Sequence, residues 1–122
     1  DSWAGIWAPC DYERFVLPYV RSIISDLRAM TDIPIIYFAN NGSTLIDLTK
    51  TAGADVLGLD WRINIKDAVS RVENHAVQGN LDPVALFLPK EELEKRIRQL
   101  LDDAQGARGH IFNLGHGILP QT

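Results

Sequence analysis

The sequence predicts an α/β fold in which parallel strands alternate with helices. Strand-like apolar segments and helix-like amphipathic segments follow one another along the 122 residues, an order that is typical of βαβ units. The strand-like segments are nearly continuous in apolar residues, as expected for parallel strands that are covered on both faces. The 46% hydrophobic content is enough for one domain with a real core.

Four segments have the composition of strands. They are Ile33–Asn40 (IPIIYFAN), Ala54–Trp61 (ADVLGLDW), His75–Asp82 (HAVQGNLD) and His110–Gly117 (HIFNLGHG). The first two carry the strongest signal because they are richest in β-branched, aromatic and other apolar residues, and the third is the weakest.

The first helical segment is Asp11–Met30. Five of its apolar residues recur at steps of four and three, which forms one apolar stripe of the kind that a helix packs against a core. They are Phe15, Tyr19, Ile23, Leu27 and Met30. Pro18 interrupts the segment, so a kink or a new helix start is expected there.

Three further helices are expected. Leu45–Ala52 is closed by Gly53, Asn64–Glu73 begins at an asparagine that suits an N-cap, and Pro89–Ala104 begins with a proline that suits a first turn. The last helix has the clearest predicted buried face. That face consists of Leu93, Ile97, Leu100, Leu101 and Ala104.

Two parallel architectures compete. An open doubly wound sheet would usually carry a phosphate-binding loop, and neither GxGxxG nor GxxxxGK[ST] occurs. A (β/α)8 TIM barrel has its chemistry at the carboxyl ends of its strands, and polar residues follow every predicted strand here. They are Asn40, Asn41, Asp60, Arg62, Gln78, Asn80, Asp82, Asn113 and His116. The sequence therefore favours the barrel.

The number of units predicts half of such a barrel. A full barrel takes about 250 residues, and this chain holds about four and a half β/α units. We therefore expect residues 1–122 to be a partial TIM-barrel domain, the C-terminal half of a (β/α)8 barrel whose N-terminal part is missing. Asp1–Gly5 has the composition of the end of a strand. A half barrel would leave open sheet edges and an uncovered apolar face.

Charge and cysteine content exclude several classes of function. The net charge of −4 leaves no basic face for nucleic acid or an anionic membrane, and the apolar runs are shorter than the ~20 residues of a membrane helix. Cys10 is the only cysteine. The sequence therefore allows no internal disulfide and no cysteine-based zinc site, which fits a reducing, cytoplasmic setting.

His116, between Gly115 and Gly117, is the strongest candidate for a functional side chain. The glycines allow a sharp turn and the close approach of a ligand. The imidazole can bind, donate or accept a proton near neutral pH.

Six sequence words resemble the uroporphyrinogen decarboxylase family, in the same order and at similar spacing. They are DSWAG (1–5), FVLPY (15–19), PIIYFANNG (34–42), LGLDWR (57–62), AVQGNLDP (76–83) and FNLGHGILPQT (112–122). The resemblance implies a cytoplasmic homodimeric (β/α)8 barrel of haem and porphyrin biosynthesis. It also implies removal of CO2 from the four acetate side chains of uroporphyrinogen III, giving coproporphyrinogen III, with no metal or organic cofactor.

The same resemblance implies two site residues. Ser2 and His116 match positions of the family that contact the tetrapyrrole substrate, and His116 is also the candidate catalytic residue. The family's basic N-terminal segment, the Asp that binds the pyrrole N–H groups and an active-site Tyr match nothing in this sequence. Because Arg62 is the only cation close to a predicted strand end, we expect these 122 residues alone to be inactive on a substrate with eight carboxylates.

The other polar residues at strand ends have structural alternatives. Asp60 could pair with Arg62, although an internal hydrogen bond is favoured, and Asp82 is expected to cap a helix that starts at Pro83. Gln78 and Asn80 are weaker candidates for ligand contacts. No role is expected for His75 or His110, and the tryptophans Trp3, Trp7 and Trp61 are expected in the core or an interface.

Two other functions compete with the decarboxylase. Zinc-dependent methyltransferases that act on corrinoid or thiol methyl groups are a related branch, but the matching words YFANNG and NLGHG contain no cysteine ligand. The chain could also be a non-catalytic half-barrel that self-associates through its open edges.

Overall fold

The computed structural model describes residues 1–122 and contains one four-stranded parallel sheet. Its strands are β1 (Ile36–Phe38), β2 (Val56–Gly58), β3 (Ala76–Gln78) and β4 (His110–Ile111). The order in the sheet is β1-β2-β3-β4, and every pair is parallel. This confirms the predicted alternation. The strands are shorter than the predicted segments: β1 begins only at Ile36, and every strand ends before its segment does.

Helical segments connect the strands. The α-helices are α1 (Pro9–Phe15), α2 (Leu17–Met30), α3 (Ile46–Thr49), α4 (Ile65–Val72) and α5 (Lys90–Asp103). Short 3₁₀ helices cover Ala4–Ile6, Gly42–Leu45 and Pro83–Phe87. None of the helices is both long enough and apolar enough to cross a membrane.

Three local signals for helix starts are confirmed, whereas Pro89, expected in the first turn of the last helix, lies at the N-cap of α5. Pro18 lies in the first turn of α2, where its missing N–H costs no helical hydrogen bond, so the predicted interruption is a new start. The Asn64 side chain accepts a hydrogen bond from the Lys66 N–H at 2.8 Å and caps α4. Asp82 caps the 3₁₀ helix that begins at Pro83 in the same way.

The two faces of the sheet differ. Tyr37, Leu57 and Val77 are in register and share a face, where Leu57 and Val77 are almost completely buried against the helices. On the opposite face, Ile36 and Ile111 are 45% and 46% exposed. The apolar sequence pattern predicts cover on both faces, whereas the structure shows helices on one.

Helix α2 packs through residues other than its long apolar stripe. Leu17 and Ile24 are buried beside Tyr12 of α1, whose hydroxyl is 2.6 Å from that of Tyr37. Burial raises the pKa of both phenols. The five stripe residues, of which the first ends α1 and the others lie on α2, are exposed by 41–82%; they are Phe15, Tyr19, Ile23, Leu27 and Met30. The periodicity of the stripe is right, but no element of the structure covers it.

The first residues lie against the carboxyl end of β1. The Asp1 amino group donates to the Phe38 carbonyl at 2.7 Å, and the Asn40 N–H donates to the Asp1 carbonyl at 3.0 Å. This alternation is that of a parallel ladder. Asp1 therefore fits the expected strand end, whereas the chain turns into a 3₁₀ helix from Ala4.

Candidate active site at the carboxyl edge of the sheet

A cavity of about 400 Å³ lies at the carboxyl edge of the sheet, on the face that no helix covers. It is lined by Phe38, Gly58, Leu59, Gln78 and residues 113–117. Phe38, Gly58 and Gln78 are in register on neighbouring strands. Three strand ends therefore form its floor, and the segment after β4 forms one wall.

Backbone contacts hold that wall in place. Leu81 donates its N–H to the Asn113 carbonyl at 3.1 Å, and its own carbonyl accepts from the Gly115 N–H at 2.8 Å. A Cβ on Gly115 would lie 2.4 Å from the backbone nitrogen of Trp61, whereas a Cβ on Gly117 would meet no atom within 4 Å. The close approach predicted for the glycine pair is therefore made by the chain itself, at Gly115.

His116 lines the cavity with an exposed imidazole. Its ring meets the Trp61 ring edge-on, with the two centroids 6.0 Å apart and the planes at 71°. In both other histidines a ring nitrogen is hydrogen-bonded to a backbone carbonyl. His75 bonds to the carbonyl of Val72 at 2.8 Å, and His110 to that of Gly79 at 2.6 Å. The His116 ring makes no hydrogen bond within the chain, so both of its nitrogens are available to a ligand.

Ser2 lies at the same edge of the sheet but outside the cavity lining. It follows Asp1, which pairs with the end of β1, and its carbonyl accepts from the Asn40 side chain at 3.4 Å. Its side chain is exposed. The structure therefore does not bring Ser2 and His116 into one cavity, and the role of Ser2 in binding remains a prediction.

The turn after β2 is built on Asp60, which is 3% exposed. Its Oδ1 accepts from the Arg62 N–H at 2.8 Å, and its Oδ2 lies 3.8 Å from the Arg62 guanidinium. The buried Asn80 side chain donates to the Asp60 and Ile63 carbonyls, both at 2.7 Å. Asp60 thus makes both the internal hydrogen bond and the ion pair, and Asn80 holds the turn, while Gln78 faces the cavity.

Sequence reasoning missed the position of Trp61. Its ring is only half-buried and lies between two functional candidates, with the Arg62 guanidinium carbon 3.9 Å from its centroid and His116 at its edge. The position of Trp61 directly after a polar residue at a strand end was the available signal. No group of three or more His, Cys, Asp or Glu side chains in the chain is placed to hold a metal ion.

Comparison with known proteins gives one consistent result. The family model described as Uroporphyrinogen decarboxylase (URO-D) matches residues 1–122. A protein named uroporphyrinogen decarboxylase from Desulfotalea psychrophila is 64% identical over 118 residues, which is 97% of this chain and 34% of that protein.

Proteins of the same name from Thermodesulfovibrio yellowstonii and Geotalea uraniireducens are 52% and 49% identical, over 97% and 98% of this chain. They are covered to 34% and 35% of their own lengths. The chain therefore spans about a third of the length of the curated relatives that it matches.

Proposed function

The chain belongs to the uroporphyrinogen decarboxylase family, and we propose from this membership that its full-length protein removes CO2 from the four acetate side chains of uroporphyrinogen III. The product is coproporphyrinogen III, an intermediate of haem and porphyrin biosynthesis. The observation that carries the proposal is the family match over all 122 residues. A cytoplasmic homodimer is part of the same proposal.

We propose further that residues 1–122 are the C-terminal half of a (β/α)8 TIM barrel. Four strands in sequential parallel order support this, because barrels are built in that order. The uncovered sheet face would then line the barrel interior, and the cavity beside His116 would lie at its carboxyl mouth, where barrel enzymes have their active sites.

The chemistry sets what the site must supply. A pyrrole ring that gains a proton becomes the electron sink for the pair released when its acetate loses CO2. The methylene carbon left behind then takes a proton and becomes a methyl group, and the ring gives up the proton that it gained, so each CO2 lost consumes one proton. The substrate therefore needs no separate electron sink. The protein must bind a polyanion, stabilise a cationic pyrrole and deliver protons.

His116 is suited to the last of these tasks or to binding. Its ring nitrogens make no hydrogen bond within the chain and the residue lines the cavity, so the ring can donate to a carboxylate or move a proton. Ser2, at the same edge, can donate its hydroxyl to another carboxylate if the substrate extends that far.

The test is turnover of uroporphyrinogen by the full-length protein, with products separated by their number of carboxylates. His116→Gln should lower kcat/KM by about 10² or more if the ring transfers a proton. His75→Gln is the matched control, because His75 lies before β3 at the amino edge of the sheet. Absence of CO2 release from the unmodified protein would refute the proposed activity, and equal activity of both variants would remove His116 from the site.

A further inference from the structure

Arg62 does not line the cavity, but its cation lies close to it through the Trp61 ring. Its guanidinium carbon lies 3.9 Å from the Trp61 ring centroid, and that ring lies 6.0 Å from the His116 ring. The guanidinium and the imidazole are therefore within about 10 Å of each other, as the sum of these two separations requires. One ligand with several carboxylates can reach both.

The Arg62 guanidinium still has its hydrogen-bonding capacity. Its nearest acidic atom, Oδ2 of Asp60, is 3.8 Å away, and only the backbone N–H of Arg62 makes a hydrogen bond. By contrast, Arg28 and Arg71 each hold a carboxylate at 2.6–2.7 Å. The planar fork of Arg62, which can bind a carboxylate through two parallel hydrogen bonds, is unoccupied by the chain.

The backbone around Arg62 is held by contacts with buried residues. Asp60 anchors its backbone, Asn80 holds the carbonyls of Asp60 and Ile63, and Gly115 packs directly against the Trp61 backbone. A cation stacked on an indole face gains further order from the cation–π attraction. A preorganised side chain loses little conformational entropy when a ligand binds.

We propose that Arg62 binds a carboxylate of the tetrapyrrole substrate and that Trp61 is the positioning residue that holds its guanidinium near His116. The inference rests on the proposed function, because that function supplies a polyanionic substrate. The chain itself carries a net charge of −4, so a cation close to the cavity offsets repulsion that the substrate would otherwise meet.

The test compares Arg62→Met, Arg62→Lys and Arg14→Met in the full-length protein. Arg14 is the matched control, because it stacks on Phe15 at 4.9 Å but lies on α1, and Phe15, unlike Trp61, makes no ring contact with His116. Loss of one charge-assisted contact should raise KM for uroporphyrinogen about tenfold in Arg62→Met. The kcat should stay nearly unchanged, as expected for lost ground-state binding. Arg62→Lys should recover part of the loss, and Arg14→Met should match the unmodified protein.

Ionic strength separates binding from folding. Salt screens the attraction between an exposed cation and a polyanion, so KM of the unmodified protein should rise with salt. Arg62→Met should show a weaker salt dependence, which a merely structural role would not produce. Trp61→Leu should raise KM in the same direction, whereas Trp61→Phe should keep most of the stacking.

The possible failures are distinguishable. If the unmodified protein releases no CO2 from uroporphyrinogen, the proposed function is wrong and this inference is wrong with it. If the unmodified protein is active and Arg62→Met retains its KM and salt dependence, the function stands and the inference is overturned. A fall in kcat at constant KM also overturns it, because Arg62 would then act in some way other than binding.

Discussion

Gly115 shows at the scale of a single residue how the candidate site is held together. The lack of a side chain lets the segment after β4 lie directly on the backbone of Asp60 and Trp61. That contact brings His116 beside the indole ring and makes it part of the cavity wall. A Cβ on Gly117, by contrast, would meet no atom within 4 Å. The absence of a side chain is therefore required at Gly115 but not at Gly117.

Alanine substitutions should separate the two glycines. Gly115→Ala places a methyl group 2.4 Å from the backbone nitrogen of Trp61. Relieving that overlap should lower the free energy of unfolding by about 1–3 kcal/mol. It should also displace His116 and lower decarboxylation. Gly117→Ala should leave both nearly unchanged. Urea unfolding and turnover of the two variants check this, and equal effects would contradict the assigned contact.

The sequence names candidate residues for the site but not the contacts between them. His116 stands out by its glycine neighbours, and Arg62 by its position after a strand, because both signals are local. The Trp61–His116 contact joins residues far apart in the chain, and its existence depends on how the last segment packs against the turn after β2. Neither pattern nor propensity contains that information.

At the scale of elements, Asp55 connects the end of α2 with the residues just before β1 and β2. Its Oδ2 lies 2.6 Å from Arg28 of α2 and accepts from the Ile35 N–H at 2.7 Å. The hydrogen bonds from Arg28 and Ile35 hold the pKa of the Asp55 carboxyl below its ordinary value. A carboxyl group whose folded pKa is lowered stabilises the fold above its unfolded pKa, and that stability is lost as the pH falls through the folded value.

Asp55→Asn should therefore reduce the acid sensitivity of the protein. The unmodified protein should lose stability as the pH falls below the ordinary carboxyl pKa of 3.8, and the variant, less stable at pH 7, should lose less over that range. Asp26→Asn is the control, because Asp26 is an exposed α2 residue without an ion pair. Urea midpoints at pH 7 and pH 3 measure the difference, and identical pH dependence in Asp55→Asn and the unmodified protein would contradict it.

Among the elements, starts and caps were predictable and lateral packing was not. Asn64 and Asp82 cap the helices expected of them, since a cap involves residues two positions apart. The stripe of α2 has the expected period, yet it is exposed, as is Leu101 of the predicted face of α5. Periodicity identifies a face that can be buried, but whether a neighbour covers it depends on the rest of the fold.

At the scale of the whole molecule, apolar surface is unevenly distributed. The stripe of α2 and the ends of the uncovered sheet face are exposed, whereas the core lies between the sheet and the helices on the other face. An apolar cavity of about 310 Å³ also runs between α2 and β1. Contiguous apolar surface of this kind marks an interaction surface or an aggregation hazard.

The chain of residues 1–122 on its own should self-associate and should not decarboxylate uroporphyrinogen. Self-association follows from the open sheet edges and the exposed stripe. Inactivity is expected because Arg62 is the only Lys or Arg that closely follows a strand, which is too little positive charge at the site for a polyanionic substrate, and the net charge is −4. Light scattering and a turnover assay test the two parts, and CO2 release by the purified 122-residue chain would refute the second.

The order of the sheet has a consequence for biosynthesis. Each strand hydrogen-bonds to the strand that precedes it in the chain, and no later strand has to insert between two earlier ones. A nascent polypeptide can therefore extend the sheet at one edge as each β/α unit leaves the ribosome. Pairing between successive units keeps loop closure short, which favours rapid, stepwise assembly during translation.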